Sequence, residues 1–313
     1  MYNSIPDIFR KSIIESLFET KTFNACWPVW QARIRQLIGS DFSEADIINL
    51  GDNLSDIFES TGNTGRGQAE LSGGGAAWEA LICWYINLCC IGSRVVAVRK
   101  MSLVPQPIRD AITVNYGNFA CNTESDITIV VFPNSADYTL GLDRIRVLDK
   151  AGAPIPNFKR NGLYSKLLDF LADRDFGHYE AGIIQCKTNW NDNAQIPMLW
   201  DMIYSANGFP GRNISLGKEG YSISGLSRFT YSFVTVPTNK RVPHNQNSVS
   251  VKRVTNLSGG NFWGHPTVAN VARSIKEIFT NNFVTGFATN IRNDIRLALP
   301  FMKDGSELEY FKI

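Results

Sequence analysis

The sequence predicts a protein of the α/β (α+β) class, with a helical amino-terminal layer. Three observations carry this. Residues 7–60 repeat apolar positions at helical spacing, four later segments have the composition of strands, and helical segments fall between those strands. With 313 residues, 44% of them hydrophobic and 19% charged, the chain has the length and composition of a folded protein with a sizeable core.

Within the amino-terminal layer, "DIFRKSIIESLF" repeats apolar pairs one turn apart. "SEADIINLGDNLSDIFES" opens with Ser43 and an acidic first turn, a helix-start signal. The segment 60–77, "STGNTGRGQAELSGGGAA", reads as a Gly-rich loop containing Arg66. It leads into "WEALICWYINLCCI" at 78–91, a buried-helix candidate whose 14 residues are too few to span a bilayer. "SRVVAVRK", "DITIVVF", "AGIIQCK" and "FTYSFVTV" are rich in β-branched and aromatic residues and read as strands. "AQIPMLWDMIYSA" reads as a helix after the third strand, and an insertion at about 134–180 contains the helical "LYSKLLDFLADR". "HPTVANVARSIKEIF" is a further amphipathic helix entered at His265 and Pro266. The expected division is a helical region at 1–75 and a core at 76–313, together one compact unit.

Several function classes are excluded at this level. The 31 basic and 29 acidic residues leave a net charge of +2, so a nucleic-acid surface has to be local rather than global. Six cysteines lie mostly in apolar runs without a C-x-x-C pair, which points to reduced core thiols in a cytoplasmic protein. Neither a signal peptide nor a membrane span is expected. There is no phosphate-cradling glycine motif and no G-x-S-x-G elbow, and only three scattered histidines. Catalysis would fall to carboxylates, amides and lysine.

"GIIQCKTNW", residues 182–190, begins as a buried strand and then places Gln185 and Lys187 on one face, with Cys186 turned into the core. A water-facing edge strand would do the same, with Lys187 as its gatekeeper. "NTESDITIVVF" brings Glu124 and Asp126 to the entrance of the preceding strand. An Asp126 carboxylate, a Gln185 amide oxygen and the Cys186 carbonyl form an oxygen set suited to magnesium. Lys187 would then orient a water and offset transition-state charge.

Asp126, a long spacer and Gln185-Cys186-Lys187 at the end of an apolar strand resemble the PD-(D/E)xK nucleases, in particular their type II restriction endonucleases. The match spans about residues 76–205 and departs from the pattern at Ser125, where proline is usual, and at Gln185, where an acid is usual. The resemblance implies a central mixed sheet flanked by helices, hydrolysis of double-stranded DNA with Mg2+ at a short specific site, and a bacterial or archaeal cytoplasm. It also implies a homodimer, or a heterodimer with a homologous subunit for an asymmetric target. Glu79 is the candidate for a further metal-site glutamate. An acidic residue in a first helical turn also has a simpler role with the helix dipole. A repair or nicking nuclease, or a degenerate DNA-binding or assembly subunit, remains an alternative.

Residues 238–254, "TNKRVPHNQNSVSVKRV", gather Lys240, Arg241, Lys252 and Arg253 around Asn245 and Gln246. Basic groups suit phosphates and amides suit adenine edges, though a solvated hairpin has the same composition. Asn189 and Asn191 either line a DNA groove or cap the following helix, and Arg66 either reaches a phosphate or does not.

Overall fold

A computed structural model describes residues 2–62, 68–122, 125–141, 148, 151–154, 164–188, 195–236, 244–264, 271, 275–283, 291–302 and 305–313, with backbone alone at 68–73, 164–165, 276–277, 280–281 and 291. The helical layer comprises α1 (Ile5–Phe18), α2 (Lys21–Ile38), α3 (Glu44–Asn49) and α4 (Leu54–Glu59). α1 starts where Ser4 accepts the Asp7 N–H at 3.3 Å. α2 buries Phe23, Trp27, Trp30, Ile34 and Ile38, one stripe at helical spacing. In α3, Ser43 and Asp46 form a capping box.

The long helix α5 (Gln68–Cys89) follows, and every described residue from Cys83 to Cys89 is buried. This corrects the expected loop at 60–77, whose second half, including the glycines at 73–75, is helical. Glycine costs helix stability, but the apolar half of α5 is held on all sides by the core and overrides that preference.

Strand β1 (Val95–Val98), helix α6 (Gln106–Ala111), strands β2 (Val114–Tyr116), β3 (Phe119–Cys121) and β4 (Ile127–Val131), and helices α7 (Ala136–Thr139) and α8 (Tyr164–Arg174) come next. They are followed by β5 (Glu180–Lys187), α9 (Gln195–Ser205), β6 (Ile214–Leu216), β7 (Arg228–Thr235), α10 (Val249–Val254), β8 (Asn261–Phe262), α11 (Ile275–Asn282) and α12 (Ile291–Ala298). A five-stranded mixed sheet runs in the order β1-β4-β5-β7-β8 and is flanked by helices, while β3-β2-β6 form a small second sheet. β4 is antiparallel to β1 and β5, whereas β5, β7 and β8 are parallel.

One apolar cluster joins α1, α2 and α5 to the β1, β4 and β5 side of the sheet, so the helical layer and the sheet share a core. A second cluster on the other face contains Ile183, Tyr204, Tyr231, Phe233, Val251 and Trp263. Buried Arg10 pairs with Asp7 at 2.7 Å and donates to the carbonyls of Ser93 and Val95, fixing α1 to the start of β1. Residues 311–313 close onto the amino-terminal helices. The Phe311 carbonyl accepts from Trp84 Nε1, the Lys312 carbonyl from Gln31 and the Ile313 carbonyl from Arg35. No described helix is long and apolar enough to cross a membrane.

Candidate active site

The docking of α5 on β1 sets the geometry of the site. Asn87 bonds both polar groups of Ala97, accepting its N–H at 3.1 Å and donating to its carbonyl at 2.8 Å. This occupies the outer edge of β1 and locks the helix in register. One turn earlier the Cys83 thiol donates to the same carbonyl at 3.3 Å. A further turn back, Glu79 Oε2 accepts from Arg99 Nε at 3.0 Å, just past the end of β1. Because α5 starts at Gln68, Glu79 lies roughly three turns inside it and not in a first turn. The helix dipole therefore gives no reason for an acid at this position.

Asp126 stands immediately before β4 and is half-buried. Its Oδ2 accepts the Cys186 N–H at 2.7 Å. The N–H and C=O of one strand residue point to the same side, so the Cys186 carbonyl faces the β4 edge as well. The next residue alternates: the Lys187 carbonyl accepts from Thr235 Oγ1 at 2.8 Å and from Val236 N–H at 3.2 Å, towards β7. Asp126 and Glu79 line one cavity of about 560 Å³ with Arg99, Lys100, Ser125, Glu19 and the α1–α2 corner. Burial first, and then the negative charges of Asp126 and Glu79, push the Cys186 thiol well above its ordinary pKa, while Lys187 opposes them. The thiol stays neutral inside the core.

Gln185 is fully buried, and its amide oxygen accepts from Tyr231 Oη at 3.0 Å, towards the second cluster. It does not line the carboxylate cavity. Lys187 is half-buried at the end of β5 and is not among the lining residues either. β5 is paired with β7 along its whole length and with β4 over Glu180–Ile184, so Gln185 and Lys187 run past the end of β4 and are paired on the β7 side. Cys186 does face the core, as its position in the alternation predicts.

Among the described residues no group of three or more His, Cys, Asp or Glu has the proximity to hold a metal. Two carboxylates with waters and substrate phosphate nevertheless suffice for magnesium, which is often bound that way. Asp126 and Glu79 fit that donor set, and the Cys186 carbonyl, outside the cavity lining, faces the same β4 edge as Asp126. Glu124, Arg66, Asn189, Asn191, Lys240 and Arg241 lie outside the described residues.

The described part of the basic segment is not a hairpin. It forms α10, with Lys252 exposed and Arg253 half-buried in its last turn. Asn245 Oδ1 accepts the Asn247 N–H at 2.9 Å, closing a turn, and Gln246 is exposed. The sequence reading missed Glu19, Arg99 and Lys100. For the two cations the available signal was their place at the end of "SRVVAVRK", the same place that Lys187 holds in "AGIIQCK". No family model matches the chain, and no curated protein matches it.

Proposed function

We propose that this chain is a subunit of a magnesium-dependent type II restriction endonuclease of the PD-(D/E)xK kind, with a restriction-endonuclease-like fold around its mixed sheet. One observation carries the reading. Two carboxylates from different elements, Asp126 and Glu79, line one open cavity at the sheet end where the Q-x-K strand terminates. Magnesium there supplies Lewis acidity at a phosphoryl oxygen. Asp126, Glu79 and the Cys186 carbonyl would hold the ion. Lys187, half-buried at the strand end, would orient the water and offset charge on the phosphoryl oxygens. Hydrolysis forms a P–O bond from water and breaks the P–O bond to the sugar, whose oxygen leaves with a proton.

Lys252 and Arg253, together with Lys240 and Arg241, serve phosphates, and one site per chain calls for a second subunit, identical or homologous, to cut both strands. A second reading, a catalytically degenerate DNA-binding subunit, is favoured by the commitment of Gln185 to Tyr231. Plasmid incubated with the chain, with and without magnesium, separates the two. Fragments or nicked circles that need magnesium and disappear in Lys187→Ala support the nuclease. A mobility shift without cutting supports the binding subunit.

A further inference from the structure

We infer that Arg99 is a phosphate-contacting residue of this cavity and that Glu79 governs it. Without a cation Glu79 holds the guanidinium, and a divalent ion that takes the Glu79 carboxylate releases Arg99 to the DNA backbone. This deepens the nuclease reading and rests on it.

The pair itself gives the first reason. Arg99 Nε donates to Glu79 Oε2 at 3.0 Å, with the two side chains only 23% and 21% exposed. The bond uses Nε, and among the described residues the Nη groups of Arg99 make no hydrogen bond. The guanidinium thus keeps the two donors that bind a phosphate in bidentate fashion.

The second reason is that the pair is not needed to dock α5. Asn87 makes two bonds to Ala97, and Cys83 makes a third. An ion pair added to that fixed register is poorly explained by packing alone. The third reason is position, since Arg99 and Glu79 line the same cavity as Asp126. Arg99 holds Glu79 Oε2, so a hard cation that takes this carboxylate through both oxygens competes with the ion pair.

The test compares the wild-type chain with Arg99→Ala, Arg99→Lys and Glu79→Gln. Calorimetry with Mg2+ alone should show Arg99→Ala binding the ion about 5-fold more tightly than wild type, because its carboxylate is no longer occupied. Glu79→Gln should bind the ion weakly. DNA binding is then read in calcium, which takes the same oxygen ligands without the strict geometry of magnesium, and again in chelator. Arg99→Ala should lower the salt slope by about one unit in calcium and leave it unchanged in chelator. Single-turnover cleavage at saturating Mg2+ should fall about 100-fold in Arg99→Ala and less in Arg99→Lys, which keeps the charge without the fork. A wild type that cleaves, with an Arg99→Ala variant matching it in Mg2+ affinity, salt slope and rate, overturns this inference and leaves the nuclease standing. A wild type that neither binds Mg2+ nor cleaves overturns both.

Discussion

The two ends of the five-stranded sheet have similar ingredients and treat them differently. At one end a cavity of about 560 Å³ gathers Glu79, Arg99, Lys100 and Asp126. At the other, a cavity of about 650 Å³ gathers Arg94, Asp137, Arg174, Asp175, His178 and Glu180. At the second end Arg174 donates to Asp137 at 2.8 Å, to Asp175 at 2.6 Å and to the Leu148 carbonyl at 3.0 Å. Tyr138 Oη adds a bond to Asp175 at 2.7 Å. Burial would raise the Asp175 carboxyl, but the Arg174 and Tyr138 hydrogen bonds outweigh it and hold it below the usual range. The remaining acid, Glu180, is 5% exposed, and among the described residues its Oε2 has no hydrogen-bond partner. At the first end Asp126 accepts the Cys186 N–H at 2.7 Å and lines the cavity. The difference teaches that mixed charge alone does not mark a site. One end uses its charges to join α7 to α8, while at the other Glu79 pairs with Arg99 and Asp126 accepts a backbone N–H beside a strand terminus.

Neutralising one acid at each end tests this contrast. Asp126→Asn should reduce cleavage on the order of a thousandfold, equivalent to about 4 kcal/mol, with its melting temperature close to wild type. Cleavage at the wild-type rate would place the chemistry elsewhere. Arg174→Ala should act in the opposite sense. It strands two half-buried carboxylates and should cost about 3 kcal/mol in a denaturant titration, with the 25 °C cleavage rate retained. If stability is unchanged, the bracing role of that network is wrong.

The smallest effect belongs to Glu180→Gln and depends on pH. Burial raises the folded-state pKa of Glu180 above its ordinary 4.5, against the pull of Arg228 and Arg94. A raised acid contributes stability that is complete below the ordinary value and is lost as pH rises through the raised one. Wild type should therefore lose stability relative to Glu180→Gln between acid and neutral pH. The variant should be about 1 kcal/mol more stable at pH 7, with the gap closing near pH 4. Melting curves that keep a constant gap across this window would show that Glu180 is not strained by its burial.

The strands that the sequence revealed are those with enough residues to show a pattern. β4, β5 and β7 declare themselves through runs such as Ile127–Val131, whereas β2, β3, β6 and β8 have two or three residues each and carry no readable period. The start of α5 was hidden for a different reason, since its glycines are poor helix formers and only tertiary packing makes them helical. Within the site, Asp126 stood out because an acid directly preceded an apolar strand. The Tyr231 bond to Gln185 could not be read, because it joins residues 46 apart across two parallel strands. The Glu79–Arg99 pair was equally hidden. It depends on the register that Asn87 imposes on Ala97, and no local pattern encodes that choice. "SVSVKRV" alternates like a strand yet forms α10, where Val251 and Val254 share the buried side one turn apart.

The closure of residues 311–313 over α2 and α5 has a consequence for how the molecule assembles as it is made. Trp84 meets its carbonyl partner 227 residues later, and Gln31 meets its own 281 residues later. On a ribosome that extends the chain by about 5–20 residues per second, Gln31 waits tens of seconds for that partner to be added. In the finished protein Phe23 stacks on Trp27, which meets Trp84 edge-on, and throughout this interval Trp84 Nε1 lacks its carbonyl partner. The yield of the chain is expected to respond to the supply of holding chaperones more strongly than its final stability would suggest.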